Sequence, residues 1–233
     1  MSVLGSLTGK LVVSVQVPAD SPLREPAAIA ALCSAAVAGG AAGVRIESAA
    51  NVSAVRTRLS VPVIGIVKRS YDGFEPYITP TLREVEELLA AGAQIVAFDA
   101  TPRRRPDRSR VAQIVSAIRH GGALAMADCA HRGDGASAFA AGAEILATTL
   151  CGYTRDTSGA ALPALPLVGE LATFRAFTIC EGGIADARAA RAAFAIGADA
   201  IVVGTAITSA LDAATAEADV AARTRIFAQA LAR

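Results

Sequence analysis

The chain repeats a pattern in which an alanine-rich segment and a glycine precede a short run of apolar, largely β-branched residues. The four copies occupy residues 38–47, 90–100, 140–150 and 195–205. A glycine after a helix suits a left-handed cap, and a run of consecutive apolar residues suits a strand buried on both faces. Because a strand with its helix takes about 25–30 residues, each interval between copies holds two such units.

Further apolar runs fall midway between these copies, at residues 11–17, 61–68, 123–129 and 177–183. Alanine-rich or amphipathic stretches such as 81–91 and 107–120 predict the intervening helices, and residues 207–233 predict a continuous eighth helix. Eight strands, each followed by a helix, predict an α/β fold, a closed (β/α)8 TIM barrel that occupies residues 1–233 as a single domain. The alternative is a doubly wound open sheet. That fold favours a GxGxxG motif after the first strand, and residues 14–24 contain no glycine.

Polar residues stand where the strands end, which is where a barrel of this kind places its chemistry. They are Gln16, Arg45, Glu47, Lys68, Asp99, Asp128, Thr149, Glu181, Gly204 and Thr205. A single polar residue of this kind is most simply explained by a buried strand that ends and continues into a polar loop. Their recurrence at every strand end predicts a functional rim.

Lys68 is the sharpest candidate, because the chain uses 20 arginines and only two lysines, the other being Lys10. An arginine stays protonated at biological pH, whereas a desolvated lysine beside another cation can lose its proton and act as a base or nucleophile. Arg45 and Arg69 are the candidates for that neighbouring charge. The alternative is a lysine retained in an ordinary salt bridge.

Glu181 follows an apolar run from the seventh predicted strand and is expected to project across the barrel mouth toward Lys68. A carboxylate there can exchange a proton with a substrate hydroxyl or hold an ammonium group. Asp128 is a third candidate, better suited to positioning. Asp99 is expected to cap a helix or pair with an arginine, and His120 and His131 receive no catalytic role.

Glycines after the last two predicted strands point to an anion. Gly182 and Gly183, and the pair Gly204–Thr205, leave backbone N–H groups accessible ahead of helices. The loops after strands 7 and 8 are a frequent phosphate site in TIM barrels. These four residues are therefore predicted to bind phosphate.

Composition limits the classes of protein and partner. Hydrophobic residues make up 53% of the chain, charged residues 18%, and the net charge is +1. These values exclude a disordered chain and offer no basic surface for nucleic acid. Four scattered cysteines without a CxxC pair indicate reduced thiols and no zinc site. The uncharged stretch 26–44 predicts a buried helix and a strand rather than a membrane span, and without a secretory signal the expected location is the cytoplasm.

Nine segments in order carry a resemblance to a known family. They are SVQVPADSPL (14–23), GVRIE (43–47), VPVIGIVKR (61–69), ITPTLREVEEL (78–88), VAFDATPRRRP (96–106), ALAMADC (123–129), GAEILATTLCGYT (142–154), CEGGI (180–184) and GADAIVVGTAIT (197–208). The chain resembles the N-acetylmannosamine-6-phosphate 2-epimerases. VPVIGIVKR and LATTLCGYT are the specific segments, whereas the GAD-type glycines would occur in many phosphate-binding barrels.

The resemblance implies an isomerase that inverts C2 of an N-acylated hexosamine 6-phosphate without metal or cofactor. It implies that Lys68 moves the C2 proton and that Glu181 assists ring opening and charge handling. The residues it places at the substrate are Gln16, Arg45, Asp128, Thr149 and Tyr153. A homodimer is expected, because members of the family are often dimers.

Two positions depart from the family pattern. Members commonly carry a cation after the EG pair and an arginine after AIT, where this chain has Gly183 and Ser209. Both changes remove positive charge near the expected phosphate site. Two alternatives therefore stay open: a related barrel enzyme for a different or unphosphorylated amino sugar, and a non-catalytic sugar-phosphate-binding regulator. Arg69 or the Arg103–Arg105 loop could compensate for the lost charge.

Overall fold

The computed structural model describes residues 2–18 and 20–232, and its eight parallel strands close into a barrel in the order in which they occur along the chain. The strands are β1 (Lys10–Val15), β2 (Gly43–Glu47), β3 (Val63–Ile66), β4 (Ile95–Asp99), β5 (Leu124–Asp128), β6 (Ile145–Ala147), β7 (Phe177–Glu181) and β8 (Ala200–Val203). β8 pairs with β1 in register Lys10 to Ala200, which completes the closure. The predicted (β/α)8 barrel is confirmed, and the open sheet is wrong.

Helices alternate with the strands and form the outer layer. They are α1 (Val3–Leu7), α2 (Pro26–Ala38), α3 (Ala49–Arg56), α4 (Leu82–Ala90), α5 (Val111–His120), α6 (Arg132–Ala140), α7 (Leu165–Ala172), α8 (Ala187–Ala195), α9 (Thr205–Thr208) and α10 (Ala216–Leu231). The stretch 26–44 forms α2 and the start of β2, as predicted. Among the described residues, no helix is long and apolar enough to span a membrane.

Two apolar layers hold the barrel together, because successive side chains of a strand point to opposite faces. On β3, Ile64 and Ile66 point into the barrel interior, while Val63 packs with the residues under the helices. A Cβ at Gly65 would lie 2.9 Å from the Leu88 side chain, so this glycine lets α4 pack closely on β3. Most strand residues are therefore apolar on both faces; the exceptions inside strands include Arg45 in the middle of β2.

Three boundaries differ from the sequence expectation. β3 ends at Ile66, and Lys68 instead forms an isolated antiparallel bridge with Ile78. The helix expected from residue 107 begins at Val111, because Asp107 instead accepts the N–H groups of Leu82 and Ser109. The expected continuous helix over 207–233 is divided into α9 and α10.

The short helix α1 has no counterpart in the sequence analysis. Its Leu7 is fully buried with the residues that fill the barrel interior. A Cβ added at Gly43 would contact the Leu7 side chain at 2.9 Å. This helix therefore closes the end of the barrel at which the strands begin, and the other end is left for a ligand.

Candidate active site

A cavity of about 1030 Å³ opens at the carboxyl ends of the strands. Its walls come from β1, β2, β3, β7 and β8 and from the loops that follow β1, β3, β6, β7 and β8. Among the described residues that line it, three carry charged side chains: Arg45, Lys68 and Glu181. They come from β2, from the loop after β3 and from β7, so only barrel closure brings them together.

Arg45 is the centre of a buried ionic group that we call the Arg45 cluster, formed by Arg45, Asp128, Thr149 and Glu181. Its guanidinium binds both carboxylate oxygens of Asp128, with Nη1–Oδ1 at 3.1 Å and Nη2–Oδ2 at 2.6 Å. Nη1 also lies 2.9 Å from Oε2 of Glu181. Arg45 is 1% exposed, so these contacts form in a dry environment in which the paired charges attract strongly.

Thr149 connects the two carboxylates of this cluster. Its Oγ1 lies 2.8 Å from Oδ1 of Asp128 and 3.1 Å from Oε2 of Glu181. The preceding residue, Thr148, accepts the N–H of Glu181 and donates to its carbonyl oxygen. The end of β6 therefore fixes both the backbone and the carboxylate of Glu181.

The Glu181 side chain is 12% exposed at the cavity surface. Burial raises the pKa of its carboxyl, Arg45 opposes this, and the nearby charge of Asp128 raises the pKa further. The net direction is upward because desolvation penalises the ionised form. Glu181 is thus disposed to hold a proton at a pH where an ordinary glutamate is ionised.

Lys68 faces the large cavity and also a smaller one of about 210 Å³, which Glu47 and Asn51 line as well. In the described part of the chain its amine has no hydrogen-bond or ion-pair partner. The residue is exposed by surface area because it faces open cavities, yet their walls remove much of its hydration. This desolvation lowers the pKa of Lys68, and Arg45 lowers it further, against the opposing charges of Glu47 and Glu181.

The other predicted binding residues divide into two groups. Gln16, Thr149, Tyr153, Gly182, Gly183, Gly204 and Thr205 all line the cavity. Asp128 does not: it is fully buried beneath Arg45, so a direct contact with a ligand would require Arg45 to move. This arrangement is compatible with the positioning role that the sequence also suggested for Asp128.

Several charges expected near the site lie elsewhere. Arg69 binds Glu84 and Glu87 on α4, so it is not the cation beside Lys68, and Arg45 alone has that role. Arg103 pairs with Asp99, as the sequence analysis expected for that carboxylate. Arg104 lies over the ring of Phe74, 5.4 Å from its centroid.

Arg105, the last of the three loop arginines, is buried and donates to the carbonyl oxygens of Asp99 and Pro80. Neither Arg69 nor any residue of the Arg103–Arg105 loop lines the large cavity. The compensation expected from these arginines is therefore absent from the cavity wall.

Tyr77 is a half-buried cavity residue that the sequence analysis missed. It precedes Ile78, whose bridge to Lys68 brings this loop back over the end of β3. Burial raises the pKa of its hydroxyl, as does the charge of Asp128. No periodic pattern marks residue 77, because it belongs to an irregular loop. Its position directly before the family-like segment 78–88 is the sequence signal that could have drawn attention to it.

Together the closed barrel and the lysine–carboxylate pair at its carboxyl end define a (β/α)8-barrel enzyme with a site suited to proton transfer. Comparison with known proteins narrows this class. The family model described as N-acetylmannosamine-6-phosphate epimerase matches residues 29–220. The chain belongs to this family, which confirms the resemblance found in its motifs.

Individual relatives agree with this assignment. A protein of Synechococcus elongatus that carries the name of an N-acetylmannosamine-6-phosphate 2-epimerase is 47% identical over 209 residues, covering 88% of this chain and 90% of that one. A relative of the same name from Cutibacterium acnes is 44% identical over 211 residues, covering 88% and 91%. The solved N-acetylmannosamine-6-phosphate 2-epimerase of Clostridium perfringens superposes with a TM-score of 0.85 at 36% identity, covering 89% and 91%.

Proposed function

We propose that this protein is an isomerase that inverts C2 of N-acetylmannosamine 6-phosphate to give N-acetylglucosamine 6-phosphate in amino-sugar catabolism. The observation that carries the proposal is the unpartnered amine of Lys68 in the cavity, with its pKa lowered, beside Glu181, whose pKa is raised. Pairs of titratable groups whose environments displace their pKa values in these directions are typical of acid–base sites.

The reaction follows from these two groups. Glu181 assists opening of the sugar ring, which exposes an aldehyde at C1 and makes the C2 proton acidic. Neutral Lys68 takes that proton, so the C2–H bond breaks, the amine becomes an ammonium, and negative charge moves to the carbonyl oxygen. Protonated Glu181 and the Arg45 guanidinium beside it stabilise this charge. Once the planar enolate has turned its opposite face toward Lys68, the Lys68 ammonium gives a proton to C2, which restores the neutral amine and inverts the centre before the ring closes.

The rest of the lining supports binding. Gln16 is held by a 2.7 Å hydrogen bond to Ser14, and with Tyr153 it offers polar groups to the sugar. Arg45 and Thr149 complete the set that meets the substrate, and Asp128 positions Arg45. Gly182, Gly183, Gly204 and Thr205 are the proposed neighbours of the 6-phosphate, a small-molecule anion.

We also propose that the enzyme is a cytoplasmic, single-domain homodimer. The four cysteines are buried and unpaired, which suits a reducing compartment. Ile226 on α10 is 65% exposed, and a large apolar side chain on an outer helix suits an interface with a second copy. Light scattering coupled to size exclusion will measure the mass, and a monomer would contradict the dimer.

The function is tested by incubating the protein with N-acetylmannosamine 6-phosphate in D₂O and following the product by proton NMR. We expect N-acetylglucosamine 6-phosphate with deuterium at C2. Tight binding without turnover would contradict the proposal and would indicate a ligand-binding regulator instead. A related protein that lacks epimerase activity provides the blank for non-enzymatic exchange.

A further inference from the structure

The cavity holds two cationic side chains among the described residues of its lining, and both already have a task. Arg45 is 1% exposed and is bound to Asp128 on both nitrogens and to Glu181 on one. Lys68 must be neutral when it takes the C2 proton. With Lys68 neutral and Glu181 protonated, the Arg45 cation faces the single carboxylate of Asp128 beneath the floor, so the site has no excess positive charge for a dianion.

The wall formed by the loop after β8 lies three strands away, around the closed barrel, from β3, the strand that precedes Lys68. The side chains that Thr205, Ser209 and Ser14 place on it end in hydroxyls, and Ala206, Ala210 and Leu211 complete it with apolar groups. Such a wall can hydrogen-bond to a phosphate or to a hydroxyl. It offers a phosphate hydroxyls and backbone N–H groups but no cationic side chain, and therefore none of the bidentate bonds that make an arginine site selective.

Gly183 lies in the loop after β7, the strand next to β8, and its neighbours exclude a cation. Its φ is +69°, a conformation that favours glycine. A Cβ built there would overlap the Cβ of Leu162, in the loop between β6 and α7. An arginine or lysine could stand at position 183 only if that loop moved away.

Arg223 on α10 is the cation behind the β8 wall, and it is directed at the backbone. Its Nη1 donates to the carbonyl oxygens of Ser209 at 2.7 Å and Ile207 at 3.2 Å. These bonds hold the end of α9 in place. Arg223 does not line the cavity, so it supports the wall without charging the surface that meets a ligand.

We infer that the part of the cavity that receives C6 of the sugar is uncharged, so that this enzyme also turns over the unphosphorylated N-acylhexosamine. The inference rests on the proposed epimerase function and concerns its substrate range. Two charge-assisted hydrogen bonds from an arginine or lysine side chain would favour the 6-phosphate by about two to four powers of ten beyond what backbone N–H groups supply. Without them, we expect a ratio of kcat/KM for the 6-phosphate over the free sugar below about 100.

The test measures this ratio with N-acetylmannosamine 6-phosphate and N-acetylmannosamine for three proteins. They are the natural chain, Ser209→Arg and Ser209→Gln. The arginine adds a cation to the β8 wall, so the ratio should rise at least tenfold. The glutamine adds an uncharged polar side chain at the same position, so the ratio should change less than threefold.

Each outcome decides a point. A ratio above about 100 in the natural chain overturns the inference, while turnover of the 6-phosphate leaves the proposed function standing. Turnover of neither sugar overturns the proposed function itself. Equal ratios for the arginine and glutamine variants overturn the placement of C6 at the β8 wall, and circular dichroism of both variants shows that they are folded.

Discussion

Asp128 and Asp99 occupy equivalent positions and have opposite roles. They are the last residues of the adjacent strands β5 and β4, they pair in register, and both are fully buried. Asp128 binds the guanidinium of Arg45, and the same guanidinium binds Glu181 at the cavity surface. Asp99 holds Arg103 at 2.7 Å and turns toward the loop that follows β4.

We call Asp99, Thr101, Arg103 and Arg105 the Asp99 cluster. Asp99 accepts hydrogen bonds from the N–H and hydroxyl of Thr101, and no member of this cluster lines the large cavity. In the Arg45 cluster, by contrast, Glu181 reaches the cavity surface close to the unpartnered amine of Lys68. A charged residue at a strand end therefore indicates function only when its network ends at a group that faces the cavity.

The largest expected effect comes from Lys68→Ala. This change removes the amine that lies close to the Arg45 cluster and has no counterpart beside the Asp99 cluster. Because general acid–base catalysis contributes about 10²–10⁴-fold, we expect kcat/KM to fall by about 10³–10⁴. Steady-state assays with the 6-phosphate measure the loss. Lys10→Ala is the matched control, since Lys10 is the exposed first residue of β1 at the other end of the barrel. Activity retained in Lys68→Ala would refute the assignment.

The two aspartates are compared directly by Asp128→Asn and Asp99→Asn. Loss of the Asp128 charge loosens Arg45, and a small misplacement of such a group can cost about 10²-fold in kcat/KM. Arg103 is 19% exposed and can turn toward solvent when Asp99 loses its charge, so that variant should keep activity within about threefold once folded.

The pH dependence of kcat/KM distinguishes a role in positioning from a role in folding for these two aspartates. The charge of Asp128 raises the pKa of Glu181. Its loss should therefore shift the limb that depends on protonated Glu181 to lower pH, and Asp99→Asn should leave that limb in place. Equal losses of activity with unchanged profiles would contradict the difference between the clusters.

A smaller effect, on stability, is expected for Glu181→Gln. The folded state raises the pKa of Glu181 above 4.5, its ordinary value. The ionised carboxyl therefore costs stability at a pH above the folded-state pKa, and this cost disappears as the pH falls toward 4.5. Glutamine should stabilise the fold by about 1–3 kcal/mol at pH 8 and by little at pH 5, while activity is lost. Urea unfolding at both pH values measures the difference, and a destabilised variant at pH 8 would contradict it.

The smallest effect is expected for Glu47→Gln. Glu47 lines the small cavity with Lys68, and its charge raises the pKa of that amine. Without it the pKa of Lys68 falls, so neutral Lys68 forms at lower pH and the acid limb of kcat/KM should move downward by less than about one pH unit. A shift in the opposite direction would show that Glu47 does not act on Lys68 through its charge.

The sequence by itself determined the number, order and burial of the strands. Apolar runs such as 95–99 and 200–203 are hydrophobic on both faces, and the glycines before them recur at intervals that count eight units. It also marked Lys68 and Glu181, because a lysine is rare in this arginine-rich chain and a carboxylate at a buried strand end is costly. The sequence did not predict the short helix α1 or the break between α9 and α10, because neither follows a periodic pattern.

Only the tertiary structure decided which charges meet. Arg45, Asp128 and Glu181 are separated by 83 and then 53 positions in the chain and come together through barrel closure. Arg69, next to Lys68 in sequence, points instead to α4. The direction of a side chain beyond a strand end depends on local loop geometry and on the nearest opposite charge, and neither has a sequence period. The order of the strands follows from the hydrophobic pattern of the sequence. The partner of each charged side chain depends instead on which opposite charge lies nearest in the folded protein.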